Sequence, residues 1–255
     1  MNILVTGAAG GIGYLTSLTL ASRGHFVYLT CHTLSEEKNL KEKLKAYENL
    51  KVMKLDVTKE DDINKVLNLD IDVLISNAAL CQGGSIIEAD MKKFKENFEV
   101  NVFSNFNLVK KVLQQMIEKD SGRVIMISSL ISKIPLPFVG IYSATKASIS
   151  NLTSALRKEL SLISNVQITL VEPGLYHTGF NQLFLDNKYD SGKYFKHIRK
   201  ELYNVEHFFI RLLEKKKLDS IVVKIVRAVE DEKVKKVYRA PKMQSIFIKL
   251  YDFFR

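Results

Sequence analysis

Short apolar runs rich in β-branched residues alternate along this chain with longer stretches whose apolar residues recur at a helical period. Candidate strands fall at residues 2–6, 26–30, 51–55, 72–76, 123–128, 167–171 and 235–238. Candidate helices fall at residues 11–22, 36–47, 59–66, 91–119, 142–162, 194–214 and 221–229. Alternation of this kind builds parallel sheets through right-handed crossovers. It predicts an α/β fold with a doubly wound, parallel, seven-stranded sheet, helices on both faces, and ligands beyond the carboxyl ends of the strands.

The chain is expected to form one domain. Its 255 residues include only four prolines, and no Gly/Ser-rich run or internal repeat divides it. We therefore predict a single domain over residues 1–255, with a substrate lid at 179–218 after the sixth strand and an amphipathic tail at 242–255.

The cellular compartment is suggested by what the sequence lacks. The first residues already form a predicted strand, so no signal or transit peptide is expected. No apolar run approaches the roughly 20 residues that a membrane span needs. Cys31 and Cys81 have neither CxxC nor histidine spacing, which predicts no metal site and favours a reducing cytoplasm.

The formal net charge of +10 favours attraction to anions. The lysines are scattered in short runs, such as 215–217 and 235–236, without the interleaved aromatic residues of a nucleic-acid groove. Charge runs of this kind usually form solvated helix faces. We expect no nucleic-acid partner.

A glycine-rich stretch, TGAAGGIG at residues 6–13, joins the first strand to the first helix. Glycine is required there if φ is positive, and missing side chains let a pyrophosphate reach backbone N–H groups at the helix N-terminus. Gly7, Gly11, Ile12 and Gly13 are therefore candidate cofactor-binding residues. The spacing GxxxGxG departs from the generic GxGxxG pattern, and a plain strand-to-helix turn is the alternative.

In folds of this kind, the residues at the end of the second strand determine whether the site binds the ribose 2′-hydroxyl group of NAD or the 2′-phosphate of NADP. Cys31 and His32 stand there, with Thr30 and Thr33 beside them, and none of these residues carries a carboxylate. NADP is therefore the preferred cofactor, with NAD as the alternative because no arginine is present either. His32 could equally be a surface histidine.

Polar or small residues also end the third and fourth strands. Asp56, followed by Val57, is well placed to hydrogen-bond an adenine edge, and Asn77 with Ala78 would let backbone lie against a ribose. Close packing is the simpler explanation of small residues at a strand end. Three successive strand ends nevertheless carry such residues on one edge of the sheet.

Tyr142 and Lys146, in YSATK, share one face of a predicted helix because residues i and i+4 are neighbours there. A nearby ammonium group lowers the pKa of a phenol and makes it a useful acid and base. In isolation, such a pair is more often a surface pair whose long side chains cover apolar area. Ser129, at the end of the fifth strand, would bring a hydroxyl group to the same edge.

These motifs, in this order and spacing, resemble those of the short-chain dehydrogenase/reductase family, whose members have a Rossmann fold. The residues that carry the resemblance are Thr6, Gly7, Gly11, Ile12, Gly13, Asp56, Asn77, Ala78, Asn101, Ser129, Tyr142, Lys146, Pro173 and Gly174. The match continues to Thr178, whose hydroxyl group could reach a carboxamide. The usual Asn-Asn-Ala-Gly is here Ser76 to Ala79, and Gly10 replaces a polar or basic residue common in NADP-preferring members.

The resemblance implies an NAD(P)-dependent oxidoreductase that moves a hydride between nicotinamide C4 and the carbon of a carbonyl or secondary alcohol. It implies that Tyr142 exchanges the proton, that Ser129 hydrogen-bonds the substrate oxygen, and that Lys146 holds the nicotinamide ribose and depresses the Tyr142 pKa. Asn101 would anchor a water relay. A homo-oligomer, dimer or tetramer, is expected. The alternative is a dinucleotide-binding sensor without significant turnover.

The predicted lid and tail are rich in aromatic residues. The lid contains Phe180, Leu183, Phe184, Tyr189, Tyr194, Phe195, Phe208 and Phe209, which favours an apolar substrate, although most of these side chains are expected to form the core side of helices. The tail places Ile246, Phe247, Leu250, Tyr251 and Phe254 on one side of a helix. It could contact a neighbouring subunit, the favoured reading, or an anionic membrane surface.

Overall fold

All strands that the structure describes belong to one parallel sheet. The computed structural model describes residues 1–181 and 193–254, with the side chains of residues 199, 249 and 252–254 excepted. The strand order is β3-β2-β1-β4-β5-β6-β7. Their bounds are β1 Asn2–Val5, β2 Phe26–Cys31, β3 Leu50–Lys54, β4 Val73–Ser76, β5 Arg123–Ile127, β6 Gln167–Pro173 and β7 Val237–Ala240. The predicted doubly wound fold is confirmed.

Helices cover both faces of this sheet. They are α1 Gly11–Ser22, α2 Leu34–Lys43, α3 Glu60–Leu67, α4 Met91–Phe98, α5 Asn105–Glu118, α6 Gly140–Leu160, α7 Arg199–Leu213, α8 Asp219–Glu230 and α9 Lys242–Phe254. Short 3-10 turns occur at Ile86–Glu88 and Leu130–Lys133. None of the described helices is both long and apolar enough to cross a bilayer.

Two apolar cores form because successive side chains of each strand point to opposite faces. Ile3 and Val5 of β1 pack with the α8 residues Ile221 and Ile225 on one face. Leu4, between them, packs with the α5 residues on the other face. Each of these β1 side chains is fully buried, so both faces of the central strand are covered, as a parallel sheet requires.

The boundaries of several elements differ from the sequence prediction, and three of the differences are informative. Helix α2 begins at Leu34 because Thr33 forms a capping box, in which its hydroxyl group accepts from the Glu36 amide at 3.2 Å and the Glu36 carboxylate accepts from the Thr33 amide at 2.9 Å. Strand β7 starts two residues later than expected. The predicted helix over residues 91–119 is interrupted by a π-helical turn at Glu99–Ser104.

Strands β1 to β3 are added to one side of the sheet in chain order, and strands β4 to β7 to the other side. Strands β1 and β4 therefore lie side by side, at the point where the direction of strand addition changes. Crossovers on the two sides of this point leave the helices on opposite faces. In doubly wound sheets a crevice opens there, beyond the carboxyl ends of the strands. The site described next lies at that edge.

Candidate active site

The turn between β1 and α1 requires glycine at specific positions. Gly7 and Gly11 have φ angles of +60° and +57°, in the left-handed region. A Cβ atom on Gly7 would lie 2.7 Å from the Cα atom of Ala78, and one on Gly13 would lie 2.7 Å from Nδ2 of Asn77. The turn is therefore packed directly against the end of β4, and Gly7, Gly11 and Gly13 line the crevice.

Asn77 and Ala78 are fastened to this turn by hydrogen bonds. The hydroxyl oxygen of Thr6 accepts from the amides of both residues at 2.9 Å. The Asn77 side chain donates to the carbonyl oxygens of Thr6 and Gly7, each at 2.9 Å. Asn77 thus holds the glycine turn in shape from the neighbouring strand.

At the end of β2, His32 faces the crevice and Cys31 does not. The His32 ring is exposed, and its Nε2 atom lies 3.4 Å from a carboxylate oxygen of Asp56. Cys31 is fully buried because its side chain points the same way as Val27 and Leu29 into the core, and burial raises its pKa to about 11. The Cys31 side chain therefore lies in the core, outside the cleft in which Cys31 was predicted to bind the cofactor.

Asp56 ends β3 in a polar corner. Partial burial alone would raise the pKa of its carboxyl group. Hydrogen bonds from the Thr58 hydroxyl group at 2.7 Å and the Thr58 amide at 3.0 Å, together with the nearby His32, outweigh that effect and lower the pKa. Asp56 is thus an ionised hydrogen-bond acceptor at neutral pH.

A second carboxylate at this corner was missed by the sequence analysis. Oε2 of Glu36 accepts from the amides of His32 and Thr33 at 3.0 and 2.9 Å. The residue stands in the first turn of α2, four positions beyond His32. The capping pattern T-x-x-E could have revealed it, because that pattern returns the glutamate to the residue before the helix.

Ser129 lies at the carboxyl end of β5, beside β6. Its hydroxyl group donates to the carbonyl oxygen of Pro173 at 3.4 Å and accepts from the amide of Ile131 at 3.3 Å. The second bond caps the 3-10 turn that follows. Both distances are at the long end of the range for a hydroxyl group. The two hydrogen bonds that hold the Ser129 oxygen at the end of β5 are therefore weak.

Tyr142 and Lys146 lie one turn apart on α6. Lys146 is only 2 % exposed, and its Nζ atom donates to the carbonyl oxygen of Ile127 at 3.0 Å. Burial lowers the Lys146 pKa to about 8. Burial, followed by the influence of Cys81, raises the pKa of Tyr142 well above its ordinary value. The expected depression of the Tyr142 pKa by Lys146 is not found, because desolvation of the phenol dominates and the ammonium group is directed at Ile127.

Asn101 lies outside the lining of the cleft and hydrogen-bonds segments that carry site residues. It lies on the π-helical turn and is fully buried. Its side chain donates to the carbonyl oxygen of Leu80 at 2.8 Å and to the Thr145 hydroxyl group at 3.1 Å, and accepts from the Leu80 amide at 2.7 Å. The Thr145 hydroxyl group in turn donates to the carbonyl oxygen of Tyr142 at 2.8 Å. Asn101 therefore joins the segment after β4 to the first turn of α6.

These parts surround one cleft of about 1890 Å³. That volume is nearly twice the upper end of the range typical of small-molecule sites, about 300–1,000 Å³. The cleft brings together most of the sequence-predicted site residues, while Cys31 and Asn101 stay outside its lining. Those that line it are Gly7, Gly11, Ile12, Gly13, His32, Asp56, Val57, Asn77, Ala78, Ser129, Tyr142, Lys146, Pro173, Gly174 and Thr178.

The far end of the cleft is apolar and is formed largely by residues that the sequence analysis did not assign to the site. Phe180, from the predicted lid, places its ring centroid 6.0 Å from that of Tyr142. Leu183, Phe184 and Tyr189 lie outside the described residues. Helices α7 and α9 complete the wall with Leu202, Phe209, Leu213, Met243, Phe247 and Tyr251. No local motif marks the α9 residues, because only the fold brings the end of the chain to this place.

Gln244 ties α9 to the rest of the cleft. Its Oε1 atom accepts from the amide of Leu175 at 2.9 Å, and its Nε2 atom donates to the carbonyl oxygen of Leu213 at 2.8 Å. A Cβ atom on Gly174 would overlap Oε1 of Gln244 and lie 2.9 Å from Cδ of Pro241. Glycine at position 174 therefore allows α9, α7 and the end of β6 to meet.

His177, near the cleft, is paired with a carboxylate and is not arranged as a metal ligand among the described residues. Nδ1 of His177 lies 2.7 Å from a carboxylate oxygen of Glu214. Within the described part of the chain, no group of three or more His, Cys, Asp or Glu side chains is arranged to hold a metal ion.

A glycine turn at a switch point, with a serine, a tyrosine and a lysine lining the same cleft, defines a dinucleotide-binding oxidoreductase type of site. Residues 1–188 match the sequence model of the short chain dehydrogenase family. The chain belongs to the short-chain dehydrogenase/reductase family.

Three known proteins illustrate this relationship. The chain is 31% identical over 184 residues to a 3-ketodihydrosphingosine reductase of Bacteroides thetaiotaomicron, a match that covers 70% of this chain and 65% of the relative. A short-chain dehydrogenase from Sphingobium yanoikuyae in complex with NADPH has a TM-score of 0.77 at 21% identity, with 100% of this chain and 93% of that chain covered. A short chain dehydrogenase/reductase from Burkholderia phymatum in complex with NAD has a TM-score of 0.82 at 17% identity, with 98% and 92% covered. The two structures support the fold.

Proposed function

We propose that this protein is an NAD(P)-dependent carbonyl reductase or alcohol dehydrogenase that prefers NADP(H) and acts on an apolar substrate. One observation carries the proposal: Ser129, Tyr142 and Lys146 line the same cleft as the glycine turn. An acid, a hydrogen-bond donor and a dinucleotide cradle in one cleft are what reduction of a carbonyl group requires.

The residues present fit a nicotinamide dinucleotide. The turn that contains Gly7 and Gly11 leads into the amino end of α1, where a pyrophosphate would be stabilised by N–H groups and the helix dipole. Asp56 would accept from the adenine edge, Asn77 and Ala78 would lie along the ribose, and Thr178 would meet the carboxamide. When bound, the cofactor supplies or accepts the hydride at nicotinamide C4.

Tyr142 is proposed to exchange the proton with the substrate oxygen. Burial raises the pKa of its phenol, which therefore stays protonated at neutral pH and can donate to a carbonyl oxygen during reduction. Ser129 would hydrogen-bond the same oxygen, since its own two bonds are long. Lys146 would bind the ribose hydroxyl groups, and Asn101 would order water behind Lys146.

The preference for NADP(H) rests on the end of β2. His32 is exposed beside the crevice and could approach a 2′-phosphate, and no carboxylate stands at positions 30–33. The negative charge of the Glu36 carboxylate would repel a 2′-phosphate there. The amides of His32 and Thr33 already donate to that carboxylate. We therefore expect a modest preference, with NAD(H) also used.

The substrate is proposed to be an apolar ketone or secondary alcohol, because the far end of the cleft is lined by apolar residues of α7 and α9. The relative from Bacteroides thetaiotaomicron is named as a reductase of a ketone. We further propose a cytoplasmic protein, because the two cysteines of the sequence lack the spacing of a disulfide framework, and a homo-oligomer, as the family resemblance implies.

A cofactor-absorbance screen tests the function. NADPH and NADH are offered with panels of ketones, sterols and acyl thioesters, and NADP and NAD with the corresponding alcohols. Turnover with at least one apolar carbonyl substrate, faster with NADPH, is the expected result. Tight binding of dinucleotide with no turnover on any panel would instead identify a sensor of the same fold.

A further inference from the structure

Two helices that line the cleft also expose apolar side chains. On α7, Val205, Phe208 and Leu212 follow one another at helical spacing, and Phe208 and Leu212 are 62% and 66% exposed. On α9, Ile246 and Leu250 are four residues apart, and Leu250 is 54% exposed. We call these five side chains the α7–α9 face.

The two helices line the same cleft and are joined by a hydrogen bond. Gln244, in the first turn of α9, donates to the carbonyl oxygen of Leu213 at the end of α7. Phe209 and Leu213 of α7 line the cleft, as does Phe247 of α9. The α7–α9 face therefore borders the opening through which an apolar substrate would reach Tyr142.

The two sequence segments that contain these helices carry much of the net positive charge of the chain. Residues 193–217 contain eight basic and three acidic side chains, and residues 242–255 contain three basic and one acidic. Seven of the ten net positive charges of the chain therefore belong to these two segments. The exposed lysines are Lys193, Lys196, Lys200, Lys215, Lys216, Lys217 and Lys242. Exposed lysines therefore stand near both ends of α7 and at the start of α9.

We propose that the α7–α9 face binds an anionic lipid bilayer. Exposed aliphatic and aromatic side chains that enter the acyl boundary, surrounded by lysines that meet acidic headgroups, are the features of interfacial helices. A second copy of the chain fits less well, because a two-fold interface would place the same positively charged surface against itself. This reverses the sequence-based preference for a subunit contact of the tail.

The position of the face also defines how a substrate enters. An apolar carbonyl compound dissolved in the bilayer could pass between α7 and α9 into the cleft without crossing water. This part of the proposal rests on the proposed function, whereas binding of the bilayer itself requires no turnover.

Sedimentation with vesicles tests the proposal. Full-length, cofactor-free protein is mixed with vesicles of equal parts phosphatidylcholine and phosphatidylglycerol, or of phosphatidylcholine alone. We expect binding to the mixed vesicles that weakens as salt is added, and little binding to the neutral ones. Equal binding to both kinds of vesicle, or binding to neither, would overturn the proposal.

Surface variants locate the binding site. Phe208→Ser with Leu212→Ser should weaken the vesicle partition by on the order of tenfold per residue, and Lys216→Gln with Lys217→Gln by about fivefold per lysine. Leu162→Ser with Ile163→Ser is the matched control, because Leu162 is 84% exposed at the end of α6, remote from the cleft. An equal loss of binding in this control would refute the assignment of the site.

Two activity and binding measurements distinguish a bilayer contact from damage to the fold or to the catalytic site. Tyr142→Phe should bind vesicles as the wild type does, and the Phe208→Ser, Leu212→Ser variant should reduce a small water-soluble ketone at the wild-type rate.

Light scattering then tests self-association through the same face. A wild-type dimer that Phe208→Ser converts to monomer would show that the face is a subunit interface, against the proposal.

Discussion

The ammonium group of Lys146 lies 5.7 Å from the centroid of the Tyr142 ring and donates its hydrogen bond to Ile127, one strand away. The two side chains therefore share one face of α6 without pairing directly. Lys146 is held by backbone, and within the described part of the chain the Tyr142 hydroxyl group makes no hydrogen bond, while burial raises the Tyr142 pKa and keeps the phenol protonated. This arrangement suits donation of a proton to a substrate oxygen.

Replacing Tyr142 with phenylalanine should lower the turnover number by roughly 10²–10⁴, the contribution of a positioned general acid. Binding of the dinucleotide, followed by fluorescence titration, should change little. Tyr238→Phe is the control, because it removes a buried phenol that bonds Asp231 away from the cleft. Turnover by Tyr142→Phe at the wild-type rate would contradict the role.

Lys146 should make the stability of the cofactor-free protein depend on pH. Burial lowers its pKa from 10.5 to about 8, so between these values the unfolded chain binds more protons than the folded one. The free energy of unfolding should then rise with pH above about 8, by up to about 1.4 kcal/mol per pH unit. Ionisation of tyrosine in the unfolded chain, near pH 10, opposes this trend because burial raises the Tyr142 pKa.

Urea unfolding of the wild type, Lys146→Met and the exposed-site control Lys158→Met, at pH values between 8 and 10, measures this effect. The rise should persist in the control and disappear in Lys146→Met. Parallel curves for wild type and Lys146→Met would show that the Lys146 pKa is ordinary in the folded protein.

Gly7 and Gly10 should respond in opposite ways to alanine. At Gly7 the left-handed φ costs about 1–2 kcal/mol for any L side chain, and the added Cβ atom would also overlap the Ala78 backbone. Gly10 has an extended backbone, and nothing lies within 4 Å of its Cβ position. Urea unfolding should show a loss of at least about 2 kcal/mol for Gly7→Ala and a change within about 1 kcal/mol for Gly10→Ala. Similar losses at both positions would be inconsistent with this geometry.

Glu36→Gln should shift the cofactor preference towards NADP(H). Glutamine can still accept from the Thr33 amide and preserve the capping box, while the negative charge near the proposed 2′-phosphate position disappears. The ratio of kcat/KM for NADPH to that for NADH should rise several-fold. Glu37→Gln, whose carboxylate pairs with Lys41, is the control. An unchanged ratio in Glu36→Gln would place the phosphate elsewhere.

Gln244→Ala should loosen the junction between α9, α7 and the end of β6. Each lost hydrogen bond costs about 1 kcal/mol, and amide exchange at Leu175 should accelerate because its acceptor is removed. Gln115→Ala removes a comparable bond to the carbonyl oxygen of Leu67 far from the cleft. If both variants exchange at Leu175 like the wild type, Gln244 does not hold this junction.

The sequence allowed the sheet, the glycine turn and the α6 pair to be predicted because each depends on local pattern. Strands alternate with helices over short distances, Gly7 and Gly11 stand directly after β1, and Tyr142 and Lys146 share a face by helix geometry alone. Parallel strands also end at one edge of a sheet, so Ser129 and Asn77 could be expected to lie at the same edge, where both line the cleft.

The features that could not be predicted depend on contacts between distant parts of the chain. Nothing local to α9 indicates that Gln244 meets Leu213, or that Phe247 lines the cleft. The aromatic pattern of 179–218 predicted buried side chains, whereas Phe208 and Phe209 are more than half exposed. Hydropathy identifies an apolar stripe but not what covers it.

The π-helical turn that carries Asn101 makes the length of this segment matter more than its composition. Phe103 is exposed there, so its side chain is free to vary. Removing a single residue would restore regular α-helical winding and rotate everything before it by about 100° about the axis. Asn101 would then leave Leu80 and Thr145, although every residue type in the site had been kept.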